Sequence, residues 1–333
     1  MNPDKSNPVI IIGAGIAGLV AGQQLNHAGL PVLILDKGRG VGGRMATRRF
    51  GGGRFDHGAQ FFSVRDDRFR QWATDWQAAG LITEWGQGFP SPSEELTAVN
   101  GYPRYRGIGG MTAVAKHLAH HLDVRLQTRV TAVANHHNQW IVHTESGEKY
   151  QGRALLLTPP LPQSLTILDS GKVALPKHMR HDLNSISYNP CLALMALFTG
   201  SSRLPEPGGL RFPEGPISWI ADNHQKGISP DGHAVTIHAS PVYSHQHWQT
   251  DPELVAQELL ESAANWLHED LLDWQLHRWR YSQPTTTYPE PMICLPGPPA
   301  LALAGDAFGG PLVEGAATSG YEAAKALLST LNL

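Results

Sequence analysis

After a polar stretch from Met1 to Pro8, the chain opens on four consecutive apolar residues, Val9 to Ile12. A short β-branched run of this kind predicts a strand buried on both faces of a parallel sheet. From Ile16 to His27 the apolar positions Ile16, Leu19, Val20 and Leu25 fall near helical spacing, and Gly29 with Pro31 ends the helix. Val32 to Leu35 then predicts a second buried strand. Strand, turn, helix and strand within about 30 residues make a βαβ unit, for which a right-handed crossover is expected.

A longer helix is predicted from Asp66 to Leu81, where Phe69, Trp72, Ala73, Trp76 and Ala79 form an apolar stripe suited to packing. Gly86 to Pro103 is rich in Gly, Pro and Ser and predicts an irregular excursion. Helical spacing resumes from Gly107 to Leu122. Strands are expected at Val124–Val133 and Trp140–His143, with a hairpin at Ser146-Gly147 leading to Ala154–Leu157. The middle third carries strand-like runs at Ser187–Phe198, Ile217–Ala221 and His233–Ala239, then a helix from Pro252 to Trp266. Ala300–Ala304 again has the character of a buried parallel strand, and Ala316–Leu333 closes the chain as a helix. The first and last elements are therefore expected to share one sheet, with the middle inserted between them.

Composition narrows the functional classes without choosing one. A chain of 333 residues has room for a buried cofactor, and 41% apolar with 17% charged residues describes an ordinary globular enzyme. With 26 basic against 29 acidic residues the net charge is −3, so there is no electrostatic reason to expect nucleic acid or an anionic membrane as partner. No apolar run reaches the roughly 18 residues of a membrane helix. Cys191 and Cys294 form neither a CxxC pair nor a disulfide framework, and with no signal-peptide core the expected location is cytoplasmic.

The chemistry concentrates in a few short motifs. Gly13-Ala14-Gly15-Ile16-Ala17-Gly18 directly follows a strand and opens a helix. In that context the first glycine permits a tight turn, the second lets backbone approach a pyrophosphate, and the third lets helix and strand pack closely. Asp36 ends the second strand, where a carboxylate can accept hydrogen bonds from a ribose. At this point NAD and FAD fit equally well. Gly42-Gly43-Arg44 follows, with two glycines for close approach and an arginine for a second phosphate, and it resembles the element found in the FAD-binding superfamily of glutathione reductase and the flavin amine oxidases. Leu303-Ala304-Gly305-Asp306 ending a strand and Val313-Glu314-Gly315-Ala316-Ala317 opening a helix resemble that superfamily's second FAD motif. There the aspartate serves the ribityl or pyrophosphate region, and the helix start faces the flavin pyrimidine.

Two further segments, Asp56-His57-Gly58-Ala59-Gln60-Phe61-Phe62 and Trp279-Arg280-Tyr281-Ser282-Gln283-Pro284, make the chain similar to the renalase family within that superfamily. Phe61-Phe62 after Gln60 and Phe308-Gly309-Gly310-Pro311 after Asp306 depart from the animal members. The resemblance implies an α/β fold: a Rossmann-type FAD-binding domain (residues 1–65, 104–165 and 285–333) with an inserted α+β substrate-binding domain (66–103 and 166–284). It assigns non-covalent FAD to Gly13, Ala14, Gly15, Ile16, Ala17, Gly18, Asp36, Lys37, Gly43, Arg44, Met45, Ala59, Gln60, Phe61, Val130, Asp306, Val313, Gly315 and Ala316. It also implies oxidation of isomeric dihydronicotinamide dinucleotides, 2- and 6-dihydro-NAD(P), to NAD(P)+, with oxygen taking the electrons as hydrogen peroxide.

A dihydropyridine already tends to expel hydride, so this reaction asks for alignment and water exclusion more than for a strong base. Arg104, Arg106, Tyr188, Trp219, Asn223 and His245 are the candidate substrate contacts. The rivals are a flavin amine oxidase, for which Lys226 is the nominee among lysines, and a non-catalytic FAD-binding redox sensor. No metal is expected: His117, His120, His121, His136 and His137 invite one, but no cysteine or carboxylate completes a ligand set.

Overall fold

The computed structural model describes residues 7–92 and 102–332. They form two compact units: Met1–Gly43, Ala115–Ser187 and Gln283–Leu333 make the first, Arg44–Val114 and Tyr188–Ser282 the second. The boundaries expected from sequence fall after residues 65, 103, 165 and 284, and those of the compact units after 43, 114, 187 and 282.

The first unit is α/β. Its six-stranded sheet runs, in spatial order, Ile293–Leu295, Ala300–Leu303, Ala154–Leu157, Val9–Ile12, Val32–Leu35 and Asp123–Arg125. All neighbours are parallel except the Ile293–Leu295 edge, which is antiparallel to Ala300–Leu303. Every residue of the four strands from Ala300–Leu303 to Val32–Leu35 is buried, as their unbroken apolar runs require. The first and last predicted strands do lie in one sheet. The single strand expected over Val124–Val133 is instead two, because Gln127 turns at φ 54°. Asp123–Arg125 joins the parallel sheet, and Val130–His136 starts a separate three-stranded sheet with Gln139–Thr144 and Lys149–Gly152.

Helix Ile16–His27 falls where its spacing predicts, and the closing helix is longer at its start, spanning Val313–Thr330. Helices Leu161–Ser170 and Lys177–Ser185 have no counterpart in the periodicity reading.

The second unit is α+β. Its five-stranded sheet has the order Gly209–Arg211, Ile217–Asp222, His233–Ala239, Tyr188–Phe198 and Leu271–Pro284. Leu192, Leu194, Ala196 and Phe198 alternate along one strand with Ile220, Val235 and Ile237 beside them, and Val255, Ala256 and Leu259 of helix Pro252–Ala263 share the same core. Burial of this many branched side chains, at about 1.5 to 3 kcal/mol each, is what holds the helix on the sheet.

Two hairpins complete this unit, Thr47–Phe50 with Gly53–Asp56 and Ile82–Gly86 with Arg104–Gly107. The helix expected over Asp66–Leu81 is Asp67–Ala78: the Asp66 carboxylate caps it by accepting from Phe69 N at 2.9 Å, and Phe69, Ala73 and Trp76 are buried while Ala79 is exposed. Part of Gly107–Leu122 is strand and turn, leaving Thr112–Ala119 as helix. Most of the irregular excursion expected over Gly86–Pro103 lies outside the described residues.

Candidate active site

In the first unit the glycine motif is built as its spacing requires. Gly13 sits at φ 104°, and a Cβ there would come 2.5 Å from Thr158 Oγ1. At Gly18 a Cβ would lie 2.0 Å from Gly13 O, so the helix can approach the strand only because that position is glycine. Thr158 locks the turn by donating from Oγ1 to Ile12 O at 2.9 Å and to Gly13 O at 3.2 Å. The half-buried Asp36 carboxylate accepts from Ala14 N and from Gly38 N, each at 2.6 Å. Val130 is buried at the start of its strand, just beyond the Thr128 N–H that donates to Asp36 O at 2.8 Å. Lys37 is exposed and donates to Gln163 Oε1 at 2.8 Å.

A dinucleotide fits this surface. A Cβ at Gly15 would meet nothing within 4 Å, so protein atoms leave open the place where the motif brings backbone to a pyrophosphate. Helix Ile16–His27 starts with no side-chain cap and no acidic residue in its first turn, which leaves its first N–H groups and positive end for phosphate. Helix Val313–Thr330 also starts without a side-chain cap. Beside that start Asp306 is buried, and Ser319 Oγ accepts from Gly305 N at 2.8 Å, fixing the strand end. Val313 and Gly315 are half-buried and Ala316 is buried.

In the second unit the motif from Asp56 to Phe61 is the centre of a buried polar network. Asp56 Oδ1 accepts from Thr47 Oγ1 at 2.6 Å and Met111 N at 2.9 Å, and Oδ2 accepts from Lys226 Nζ at 2.8 Å. Asp56 and Lys226 are both fully buried. The Lys226 ammonium also lies 4.6 Å from the Trp85 ring centroid. Burial holds its pKa below the usual lysine value, and the Asp56 charge opposes that shift. Gln60 Nε2 donates to Asp56 O at 2.6 Å and Gly58 O at 3.2 Å. Its side chain, 6% exposed, clamps its own loop, and its Oε1 accepts from Lys226 Nζ at 3.5 Å. Arg44 donates from Nη1 to Tyr281 O at 3.3 Å and Ser282 O at 3.2 Å, while its own carbonyl accepts from Ala59 N at 2.8 Å. Met45 beside it is buried.

Phe61 lies among Trp85, Phe89 and Trp219, with ring centroids 6.2, 5.2 and 5.7 Å away. The Arg104 guanidinium is 5.8 Å from the Phe61 centroid, and the buried Trp219 Nε1 has no hydrogen-bond partner. Arg106 is half-buried near the Asp56 carboxylate, which supports its charge against burial. His57, His238 and His277 form a second cluster that composition alone does not single out. Trp279 Nε1 donates to His57 O at 2.7 Å, and His238 Nε2 lies 3.2 Å from the same oxygen. Burial, with like charge from Arg48 and neighbouring histidines, pushes His57 down to about 3; burial pushes His238 and His277 down to about 4.

The structure does not gather all six proposed substrate contacts. Arg106 lies near the Asp56 carboxylate, Arg104 and Trp219 lie against the Phe61 ring, and Tyr188 meets the Tyr281 ring edge-on at 5.6 Å. Asn223 is fully buried, with Nδ2 donating to Ala234 O at 3.2 Å and Thr236 Oγ1 at 2.9 Å, and Oδ1 accepting from Asp56 N at 3.4 Å. That spends its amide on supporting Asp56. His245 is exposed on the short helix Pro241–Gln246. Among the described residues no three His, Cys, Asp or Glu side chains are grouped to hold a metal, and no helix is long and apolar enough to cross a membrane.

Comparison with known proteins agrees with this architecture. Residues 11–76 match the NAD(P)-binding Rossmann-like domain and residues 83–328 the flavin containing amine oxidoreductases. Renalase of Mus musculus is 25% identical over 321 residues, 90% of this chain and 92% of that protein. Putrescine oxidase bound to putrescine superposes with a TM-score of 0.73 at 16% identity, over 97% of this chain and 99% of that one. The fatty acid isomerase of P. acnes gives 0.62 at 16% identity, over 85% and 88%. One fold thus carries different reactions, and the reaction must be argued from the residues.

Proposed function

Because the chain belongs to the flavin containing amine oxidoreductase family and is an FAD-dependent oxidoreductase, we propose that it oxidises 2- or 6-dihydro-NAD(P). The balanced reaction takes the dihydro-dinucleotide, a proton and oxygen to NAD(P)+ and hydrogen peroxide. Bound FAD supplies the two-electron chemistry, accepting the reducing equivalents and passing them to oxygen.

What the chain itself contributes is binding and orientation. The open backbone at Gly15, the uncapped start of helix Ile16–His27 and Asp36 are suited to holding the dinucleotide portion of FAD. Arg44, Met45, Ala59, Gln60 and Phe61 are assigned to the same cofactor by resemblance of sequence.

The observation that supports this substrate over an amine is the state of Lys226. The lysine nominated for amine chemistry is fully buried, neutralised by Asp56 at 2.8 Å and covered by Trp85. Burial holds His57 and His238 well below the usual imidazole value, so with Lys226 tied to Asp56 the second unit offers alignment rather than a ready acid. A dihydropyridine needs no more than that. Peroxide formation by the purified holoenzyme with dihydronicotinamide isomers, with amines and with ordinary 4-dihydro-NAD(P)H separates the readings. Peroxide from the isomers alone supports this one; peroxide from amines alone replaces it with amine oxidation.

A further inference from the structure

Strand Leu271–Pro284 presents two different faces. Trp274 and Leu276 pack on the apolar core, Arg278 donates to Trp248 O at 3.1 Å and Thr250 O at 2.7 Å, and Arg280 lies 5.6 Å from the Trp248 centroid. The alternate residues Gln275, His277, Trp279 and Tyr281 point the other way, as the period of two demands, and all four are half-buried. The centroids of His277 and Trp279 are 4.2 Å apart, and the Trp279 indole stacks on His57 at 5.2 Å with 27° between planes. Beside them, Arg48 of hairpin strand Thr47–Phe50 donates from Nη1 to Gln275 Oε1 at 3.3 Å.

The result is a row of an imidazole, an indole and a phenol with a guanidinium at one end, on the outermost strand of its sheet. His277 and Trp279 meet edge to face, with 67° between their planes, and both stay half-buried, so part of their π-surface is exposed for a planar heterocycle to lie against. A guanidinium beside such rings is suited to a phosphate group. Because His277 is held neutral by burial and by Arg48, it stacks without adding a charge of its own that would need a fixed counter-ion.

We propose that this face binds the nucleoside-diphosphate end of the substrate, His277 and Trp279 stacking on the base and Arg48 meeting phosphate. The inference rests on the dihydronicotinamide reading and extends it: the reacting ring needs alignment, and the remote end supplies binding energy that holds it there.

The test uses FAD-loaded enzyme and two kinds of probe. Adenosine diphosphate ribose, which cannot react, is titrated calorimetrically into the wild type, Arg48→Gln, Arg48→Lys and His277→Ala, each checked for folding by circular dichroism. Turnover of 6-dihydro-NAD is then compared with that of the mononucleotide 6-dihydro-NMN. The expected result is binding of the probe, weakened by about tenfold or more in Arg48→Gln and His277→Ala and partly restored in Arg48→Lys. The wild type's kcat/KM preference for the dinucleotide should shrink by a similar factor in the two weakened variants, through KM. Equal use of dinucleotide and mononucleotide by the wild type, or an equal loss for both in the variants, would overturn the subsite. If neither substrate turns over, the reaction reading fails by itself. The calorimetric series still decides the subsite: Arg48- and His277-dependent binding supports a nucleotide site, and no binding removes it.

Discussion

Lys226 Nζ donates to Asp56 Oδ2 at 2.8 Å, and neither side chain is exposed. This pair joins a strand end, a helix start and a turn, because the other oxygen of Asp56 serves Thr47 and Met111 while Asn223 meets its backbone N–H. Lys226→Met leaves a buried carboxylate without its counter-charge, and breaking such a pair costs about 3 to 5 kcal/mol. The double variant Asp56→Asn, Lys226→Met should recover part of that loss. Urea unfolding of the two variants checks this; equal stability of Lys226→Met and wild type would show that the pair holds nothing together.

The glycine motif separates folding from cofactor binding. Gly18→Ala drives a Cβ to 2.0 Å from Gly13 O and should lower the melting temperature of the protein stripped of FAD. Gly15→Ala meets no protein atom and adopts an ordinary extended backbone, so it should leave that melting temperature unchanged while weakening FAD retention. Comparing thermal unfolding with and without added FAD reads both effects. An intact FAD affinity in Gly15→Ala would move the pyrophosphate away from this turn.

How much of this was legible in sequence depends on the range over which each feature is determined. The turn at Gly13–Gly18 and the strand ends around Asp36 follow from spacing over a few tens of residues, and the structure has them where the pattern predicts. Asp56 and Lys226 are 170 positions apart, and no periodicity links a lysine in a turn to that carboxylate. Asn223 reads as a polar wall residue at a strand end, but the register beside Ala234 and Thr236 turns its amide inward. His245 is near the sheet in sequence, yet the short helix starting at Pro241 buries Tyr243 and Ser244 and carries His245 outward. No apolar run marks the strand Leu271–Pro284, because its half-buried Trp274 and Leu276 are interleaved with the long polar side chains Gln275, His277 and Arg278.

The neutral histidines set a pH dependence of stability. His57 and His238 fall from an ordinary value of 6.5 to about 3 and about 4 in the folded protein. Between those values the unfolded chain binds more protons than the folded one, so stability is full above about pH 6.5 and falls as pH drops toward 4. The loss should be on the order of a few kcal/mol. His57→Leu should flatten the slope of melting temperature against pH across this window. A wild-type melting temperature constant from pH 7 to 4.5 would mean that these imidazoles are not held neutral.

FAD should be released intact when the protein is unfolded. Cys191 is buried and its thiol is pushed up to about 12 by that burial, and burial also raises Cys294, so neither offers a ready thiolate for attachment. Acid precipitation followed by absorbance of supernatant and pellet tells free from bound cofactor. Yellow colour retained on the washed pellet would require a covalent link.

The most direct test of the central claim is anaerobic rapid mixing of the FAD-loaded enzyme with 6-dihydro-NAD(P), 2-dihydro-NAD(P), 4-dihydro-NAD(P)H, benzylamine and a polyamine, following flavin absorbance. The expected result is rapid bleaching by one or both of the first two, restoration on admitting air with formation of peroxide, and slow reduction by the ordinary 4-dihydro form. Faster bleaching by an amine than by either isomer would contradict it.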